Sequence, residues 1–434
     1  MKIDILNQPP FLYVTDNSND CNAHSIFLCT DQNKAYEHEA RANGCSNIIT
    51  AKECLDLLGI SDKIKIIGIT GTNGKTTTAA AIYSILLDLG KKVGLQGTRG
   101  CFINEQKVED KSLTTPPILQ TIHHLKLAVE ENCEYFVMEV SSHAIVQNRI
   151  DGLTFTLKIL TNITQDHLDF HKNIDAYIAV KSSFFSDETL KLINKDENKI
   201  RFNRTNCMTY GIENPATYKI LAYALKDGIS GALAKIDKVY DFTSSLHGFF
   251  NLYNLLSAIA AVDMLDVAKM EKICEVVEHF AGVEGRMEVV STEPLVIVDF
   301  AHTPDGMEKV LDSMKDKDII VVFGAGGDRD RTKRPKMGMI AQRFAKKVVV
   351  TSDNPRTENP DIIINEILAG MKVDNAIWVE KDRLKAIHKA LQWREHNEIV
   401  IILGKGDETY QEVNGQKFAF DDRVVVRSLL SQIG

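Results

Sequence analysis

One run of residues constrains this chain more than any other: KIKIIGITGTNGKTTTAA, from Lys63 to Ala80. Its first half is almost wholly apolar, as expected of a strand buried on both faces of a parallel sheet. Its second half sets Gly71 and Gly74 ahead of Lys75, Thr76 and Thr77. The glycines let the backbone curl until successive N–H groups point at phosphate oxygens, Lys75 adds positive charge, and the Thr76 hydroxyl suits magnesium. A helix beginning near Thr76 adds its positive end. A tight turn without a ligand needs no Lys-Thr-Thr, so Gly71, Thr72, Asn73, Gly74, Lys75, Thr76 and Thr77 are candidate nucleotide-phosphate-binding residues. Ile69 stands where the strict G-x-x-x-x-G-K-[ST] spacing has glycine, which makes this a variant loop.

At 434 residues the chain exceeds one ordinary core, and apolar runs alternating with helical segments predict an α/β fold in three domains. Residues 1–62 read as a small N-terminal α/β unit, and residues 63–285 as a central phosphate-loop domain with a parallel sheet. Residues 286–434 read as a C-terminal Rossmann-like domain. In that last unit Asp299 with His302, Asp328 with Arg329, Asp353 with Arg356, and Lys405 with Glu408 each follow a strand-like run. Ligands bind beyond the carboxyl ends of such strands, so the four loops should meet on one rim.

The formal net charge of -8 gives no global positive field for a phosphate backbone, so nucleic acid is not an expected partner. The eight cysteines include no C-x-x-C pair, and reduced structural thiols are expected. No apolar run is long enough to span a bilayer, and a cytoplasmic, monomeric protein is expected.

GTNGKTTT resembles the phosphate loop of the Mur ligases of peptidoglycan synthesis and of the related folylpolyglutamate synthetases. MEVSSHAIVQNRID and NITQDHLDFH are similar to the next two Mur signatures, and HGFFNLYNLLSA, GRMEVV and VDFAHTPD follow in the family's order. The resemblance covers about residues 64–434 and implies ATP and Mg2+ as cofactors. It implies that Thr76, Glu139 and His167 hold the metal, and that Asn251, Arg286, Asp299 and His302 contact the nucleotide. Lys75, Glu139, His167 and Lys181 are the implied catalytic set. Lys181 also carries a reading of its own: Tyr177, Phe184 and Phe185 share its helical face, and desolvation among aromatics favours a neutral amine. Such an amine can take up carbon dioxide, and the family carries a carbamylated lysine (N6-carboxylysine) at this place.

LTTPP and SSHAIVQNR are similar to segments that hold a UDP-sugar dipeptide, implicating Thr114, Thr115, Ser141, Gln147 and Arg149. Ser18 corresponds more loosely to a uridine contact. TSDNPRTE contains Asp353, Asn354, Pro355 and Arg356, the D-N-P-R motif of family members that add meso-diaminopimelate. That amino acid differs from lysine by one carboxylate, and a guanidinium binds a carboxylate through two parallel hydrogen bonds. Arg329, Gly404 and Glu408 resemble the remaining amino-acid contacts. Asp407 replaces a common histidine and Leu113 a common asparagine.

The resemblance therefore implies ATP-dependent addition of meso-2,6-diaminopimelate to UDP-N-acetylmuramoyl-L-alanyl-D-glutamate through an acyl phosphate, in cell-wall precursor synthesis. A lysine-adding Mur ligase, a folylpolyglutamate synthetase-like ligase, or a nucleotide-dependent module without turnover stay open as alternatives.

Overall fold

The computed structural model describes residues 1–5, 10–110, 113–226 and 228–433. Three principal sheets follow one another along the chain, with a short hairpin near the end. The first has four strands, Lys2–Asp4, Tyr13–Thr15, Ser25–Leu28 and Asn47–Ile49, in sequential order.

The second sheet has eleven strands. Its parallel centre places Lys65–Thr70 between Phe155–Leu160 and Tyr135–Glu139, with Val93–Gly97 beyond the latter. Ile67 and Ile69 are fully buried there, as the apolar run requires. Helix Lys75–Asp88 leaves this sheet directly from the glycine turn. Its Ile82, Ile85 and Leu86 share a core with Leu252, Leu255 and Ile259 of helix Phe249–Met264. Antiparallel strands extend both margins: Gly100–Ile103 with Gln106–Glu109 on one, Ile229–Lys235 with Lys238–Ser244 on the other. Sequence patterning predicted the parallel centre and passed over these margins. Strand Tyr218–Ala224 is apolar in composition yet exposed over its last four residues, so period-two alternation fades where the sheet turns to water.

The third sheet has six strands, five of them parallel. Its order sets Leu295–Asp299, Glu398–Leu403, Asp318–Phe323 and Lys347–Val350 side by side. The loops after these four strands therefore emerge along one rim, as expected from the sequence. Hairpin Tyr410–Val413 and Gln416–Ala419 folds back over that rim. All eight cysteines are free thiols. Among the described residues no helix is long and apolar enough to cross a membrane.

Candidate active site

The phosphate loop curls as its glycines allow. Gly71 has φ +150° and Gly74 φ +84°, and a Cβ on Gly74 would lie 2.3 Å from Asn254 Oδ1. Thr72 N donates to Asn162 O at 2.8 Å and Asn73 N to Asn162 Oδ1 at 3.0 Å, which pins the loop to the neighbouring strand end. Lys75 Nζ donates to the carbonyl oxygens of Gly71 (2.8 Å) and Thr72 (2.9 Å). Burial lowers its pKa and the Glu139 carboxylate opposes that shift. Thr77 lies buried under the loop.

Glu139 ends a fully buried strand and is itself 2 % exposed. Thr76 Oγ1 donates to its Oε2 at 3.0 Å and Thr98 N to its Oε1 at 2.8 Å. A hydroxyl and a carboxylate on the rim of a phosphate loop are hard oxygen donors, the kind Mg2+ takes together with phosphate oxygens. Among the described residues no cluster of three or more His, Cys, Asp or Glu side chains could hold a metal by itself. By their chemistry the Thr76 hydroxyl and Glu139 carboxylate fit two positions of such an ion. His167 has φ +53°, lies 3.4 Å from Asp166 Oδ2, and meets the His143 ring edge-on at 4.8 Å.

Lys181 is 1 % exposed, on helix Ile174–Ser183, which Asn173 caps by accepting from Ala176 N. Its Nζ donates to Gly71 O at 2.9 Å and Thr70 Oγ1 at 3.1 Å, and lies 5.1 Å from the Tyr177 ring centre. Burial, reinforced by Lys75, pulls its pKa well below the ordinary lysine range. Tyr177, Phe184 and Phe185 are all buried in one core, and Phe184, still helical in its backbone, also packs edge-on against Phe155 and faces the Lys158 ammonium.

The segments implicated in holding the UDP-sugar peptide form a second layer behind Glu139. Thr115 is fully buried, donating to Glu139 O at 2.9 Å and accepting from Ser141 N at 3.0 Å. Arg149 Nη1 donates to Thr115 O at 2.9 Å while its buried Nε has no partner among the described residues. Thr114 Oγ1 meets Thr98 Oγ1 at 3.1 Å. Gln147 Oε1 is likewise buried and unpartnered, and the Gln147 backbone carbonyl accepts from Gln32 of the first sheet's unit. Ser18 is set apart: it is buried in that first unit, with its hydroxyl donating to Glu39.

Across the cleft, Asp299 Oδ2 accepts from Met287 N and its Oδ1 from Ala301 N, both at 2.7 Å. Burial raises its pKa and Arg286 opposes that shift. The Arg286 guanidinium stacks 4.4 Å above the Phe300 ring and lowers the pKa of Lys75 by its charge. Asn251, 2 % exposed, reaches the phosphate loop through Asn254. The Asp166 carboxylate acts on Lys75 and Lys181 from one side and on His302 and Lys333 from the other, so both sides share one electrostatic space. A direct bridge closes the cleft's edge: Asp305 Oδ2 accepts from Asn73 Nδ2 at 2.6 Å and from Thr164 Oγ1 at 2.9 Å.

On the rim, Asp353 is 7 % exposed and its Oδ2 has no hydrogen-bond partner among the described residues. Burial alone would raise its pKa, but Arg383 and Lys405 outweigh it and hold the group ionised. A Cβ on Gly404 would lie 2.4 Å from that oxygen, so only glycine leaves it open. Asn354 donates to Glu408 at 2.8 Å and accepts from Lys405 at 3.1 Å. Arg356 has φ +50° and a side chain 22 % exposed; it donates to Gly327 O at 2.7 Å and pairs with Glu412 at 3.4 Å. It does not trail into solvent. Arg329, by contrast, is exposed and donates to the neighbouring Asp328 O.

Sequence reasoning missed Thr98, Asp305, Arg383 and Glu412. Arg383 is fully buried, held by Asp422 through Nε (2.8 Å) and Nη2 (2.7 Å), and it underpins Asp353. Nothing local distinguishes it from the exposed basic residues of the same helix.

The family model for the Mur ligase middle domain matches residues 69–262, and that for the Mur ligase glutamate ligase domain matches residues 285–406. The chain is 52% identical over 421 residues to the UDP-N-acetylmuramoyl-L-alanyl-D-glutamate--2,6-diaminopimelate ligase of Wolinella succinogenes, covering 97% of this chain and 96% of that one. It is 51% identical over 412 residues to the enzyme of the same name from Helicobacter hepaticus, covering 93% and 89%. A solved structure of a ligase of that name superposes with a TM-score of 0.70 at 29% identity, covering 99% of this chain and 97% of the other. With family models matching both the phosphate-loop domain and the domain that carries the rim, the chain belongs to the Mur ligase family of ATP-dependent amide-forming ligases.

Proposed function

We propose that this enzyme joins meso-2,6-diaminopimelate to UDP-N-acetylmuramoyl-L-alanyl-D-glutamate, forming ADP and phosphate, in peptidoglycan precursor synthesis in the cytoplasm. The observation that carries this is Arg356, a guanidinium fixed at the rim of the third sheet by Gly327 O and Glu412, on the loop that also carries the buried Asp353 and, through Asn354, holds the Glu408 carboxylate. Arg356 would take the distal carboxylate of the amino acid, and Asp353 and Glu408 its distal ammonium. Lysine offers Arg356 no anion, so the charge-assisted hydrogen bonds that a distal carboxylate would make are absent with it.

A carboxylate is a poor electrophile. Its oxygen attacks the γ-phosphorus of ATP, the bond from that phosphorus to the β-bridging oxygen breaks, and ADP leaves. The neutral amine then attacks the acyl carbon, phosphate departs with one carboxylate oxygen, and the proton the nitrogen sheds leaves with the phosphate or to solvent. Lys75 and the loop's N–H groups would hold the transferring phosphoryl group, so positioning and electrostatics supply most of the rate. Thr76, Glu139 and His167 would hold Mg2+, which neutralises phosphate charge when bound. Lys181, with its depressed pKa, is suited to carbamylation: the neutral amine adds to carbon dioxide and releases one proton. Residues 1–62 would receive the uridine end, 63–285 ATP, and 286–434 the amino acid. Arg286, Asp299, His302 and Asn251 would line the nucleotide, while Thr114, Thr115, Ser141, Gln147 and Arg149 would back the sugar peptide.

Phosphate release with ATP and the UDP-sugar dipeptide should require meso-diaminopimelate and be poorly supported by L-lysine. Arg356→Ala should lower that preference by roughly tenfold or more, since charge-assisted hydrogen bonds contribute about 1.5–3 kcal/mol. Equal use of the two amino acids by the unaltered enzyme would favour the lysine-adding alternative. The folylpolyglutamate alternative fits less well because Thr76 and Thr77, not Gly-Ser, follow Lys75.

A further inference from the structure

Arg356 occupies a left-handed backbone conformation, φ +50°, that costs a non-glycine residue about 1–2 kcal/mol. Strain of this kind persists only where neighbours over-determine it. The bonds to the Arg356 backbone come from hairpin Tyr410–Val413 and Gln416–Ala419 and its turn. Arg356 N donates to Glu412 O at 3.1 Å and Asn414 N to Arg356 O at 2.7 Å, a bridge between two stretches of chain more than fifty residues apart in sequence. Glu412 N donates to Asn354 Oδ1 at 2.9 Å, and Gln411 Nε2 to Asp353 O at 2.6 Å. Three backbone groups of the loop, Asp353 O and the N–H and C=O of Arg356, thus bond to this hairpin.

The Glu412 side chain adds an orientation. Its Oε2 lies 3.4 Å from Arg356 Nε, while Arg356 Nη1 donates to Gly327 O at 2.7 Å. A guanidinium has five N–H donors in one rigid plane, so two fixed contacts set the whole fork. These two occupy the Nε edge and one Nη1 hydrogen. Nη2 makes no hydrogen bond among the described residues, which leaves that end of the fork open to a further acceptor. Glu412, half-buried, also balances the guanidinium's charge when no amino acid is bound.

We propose that Glu412 is a positioning residue for amino-acid selection: it aligns the Arg356 guanidinium so that its free end accepts the distal carboxylate of the incoming diamino acid. That role presupposes that Arg356 receives this carboxylate, and three variants separate the two ideas. Glu412→Ala should raise KM for meso-diaminopimelate about fivefold, with kcat and KM for ATP within about twofold, and should narrow the preference over lysine. Glu412→Gln, which keeps the length of the side chain and an oxygen beside Nε, should recover most of the loss. Unchanged or lowered KM in Glu412→Ala, while Arg356→Ala loses its preference, would overturn the role of Glu412 alone. Equal damage in the Ala and Gln variants would overturn it too. An Arg356→Ala enzyme with full preference would remove the premise and the proposal together. Thermal melting of each variant separates a lost fold from a lost alignment, and the exposed outer strand of the hairpin, Gln416–Ala419, favours folded variants.

Discussion

Replacing Gly97 by alanine tests the place of Glu139 without touching the carboxylate itself. Gly97 ends the strand beside Glu139, and a Cβ there would lie 2.2 Å from Oε1, 2.9 Å from Cδ and 2.9 Å from Cγ. Nonbonded contact begins near 3.5 Å, so the carboxylate must move by about 1 Å. The colliding atoms belong to the outer part of a side chain, so the strand survives and the head group swings. It then loses the Thr98 N–H at 2.8 Å and the Thr76 hydroxyl at 3.0 Å. A displacement of about 1 Å in a group that positions phosphoryl transfer costs roughly 100-fold in rate. Gly97→Ala should therefore lower phosphate release with saturating substrates by about that factor and raise the Mg2+ concentration needed for half-activity, with little change in melting temperature. Activity within about threefold of wild type at unaltered Mg2+ dependence would refute the assignment of Glu139 to the metal and phosphate site.

Two other outcomes follow from buried charges. If Lys181 is carbamylated, stripping carbon dioxide and bicarbonate should lower activity and adding them back restore it; labelled carbon dioxide should give one carbamate 13C resonance that Lys181→Met lacks, and an unlabelled, fully active enzyme would contradict this. Asp196 accepts from the backbone N–H of Ile212 (2.7 Å), Glu213 (3.0 Å) and Asn214 (2.7 Å) and from the Tyr253 hydroxyl (2.8 Å). Burial pushes its pKa up, but these donors outweigh it and bring it down from 3.8 to about 2. A depressed carboxylate pKa stabilises the fold above the unfolded value and loses that contribution as pH falls through the folded one. Asp196→Asn should cost about 1–2 kcal/mol at pH 7, and its gap from wild type should close between about pH 4 and pH 2. A gap independent of pH would contradict the attribution.

What could be read in the sequence and what could not divides along a physical line. The phosphate loop was legible because strand, glycine turn, lysine and threonine lie within eighteen residues and each residue type carries its own chemistry. The rim of four loops was legible because parallel strands expose the same end. Thr98 was not, since its bond to Glu139 arises from a sheet register that pairs Gln96 with Met138. Glu412 reads as one more charge in a short strand, and only the fold of the hairpin brings it to Arg356. Arg334 and Arg383 look like solvated helix residues, yet both are buried on paired carboxylates, Glu358 with Glu366 and Asp422. Long-range electrostatic partners leave no local trace when either residue alone is common on surfaces.

The chemistry rests on a carboxylate being activated by phosphoryl transfer before an amine displaces the phosphate. Dipeptide substrate carrying 18O in both oxygens of the reacting glutamate carboxylate tests this directly. Mass analysis should find one 18O in each released phosphate and the other in the new amide. Phosphate free of label would mean that water, not the carboxylate, attacks ATP, and the account of this site as a ligase would fail.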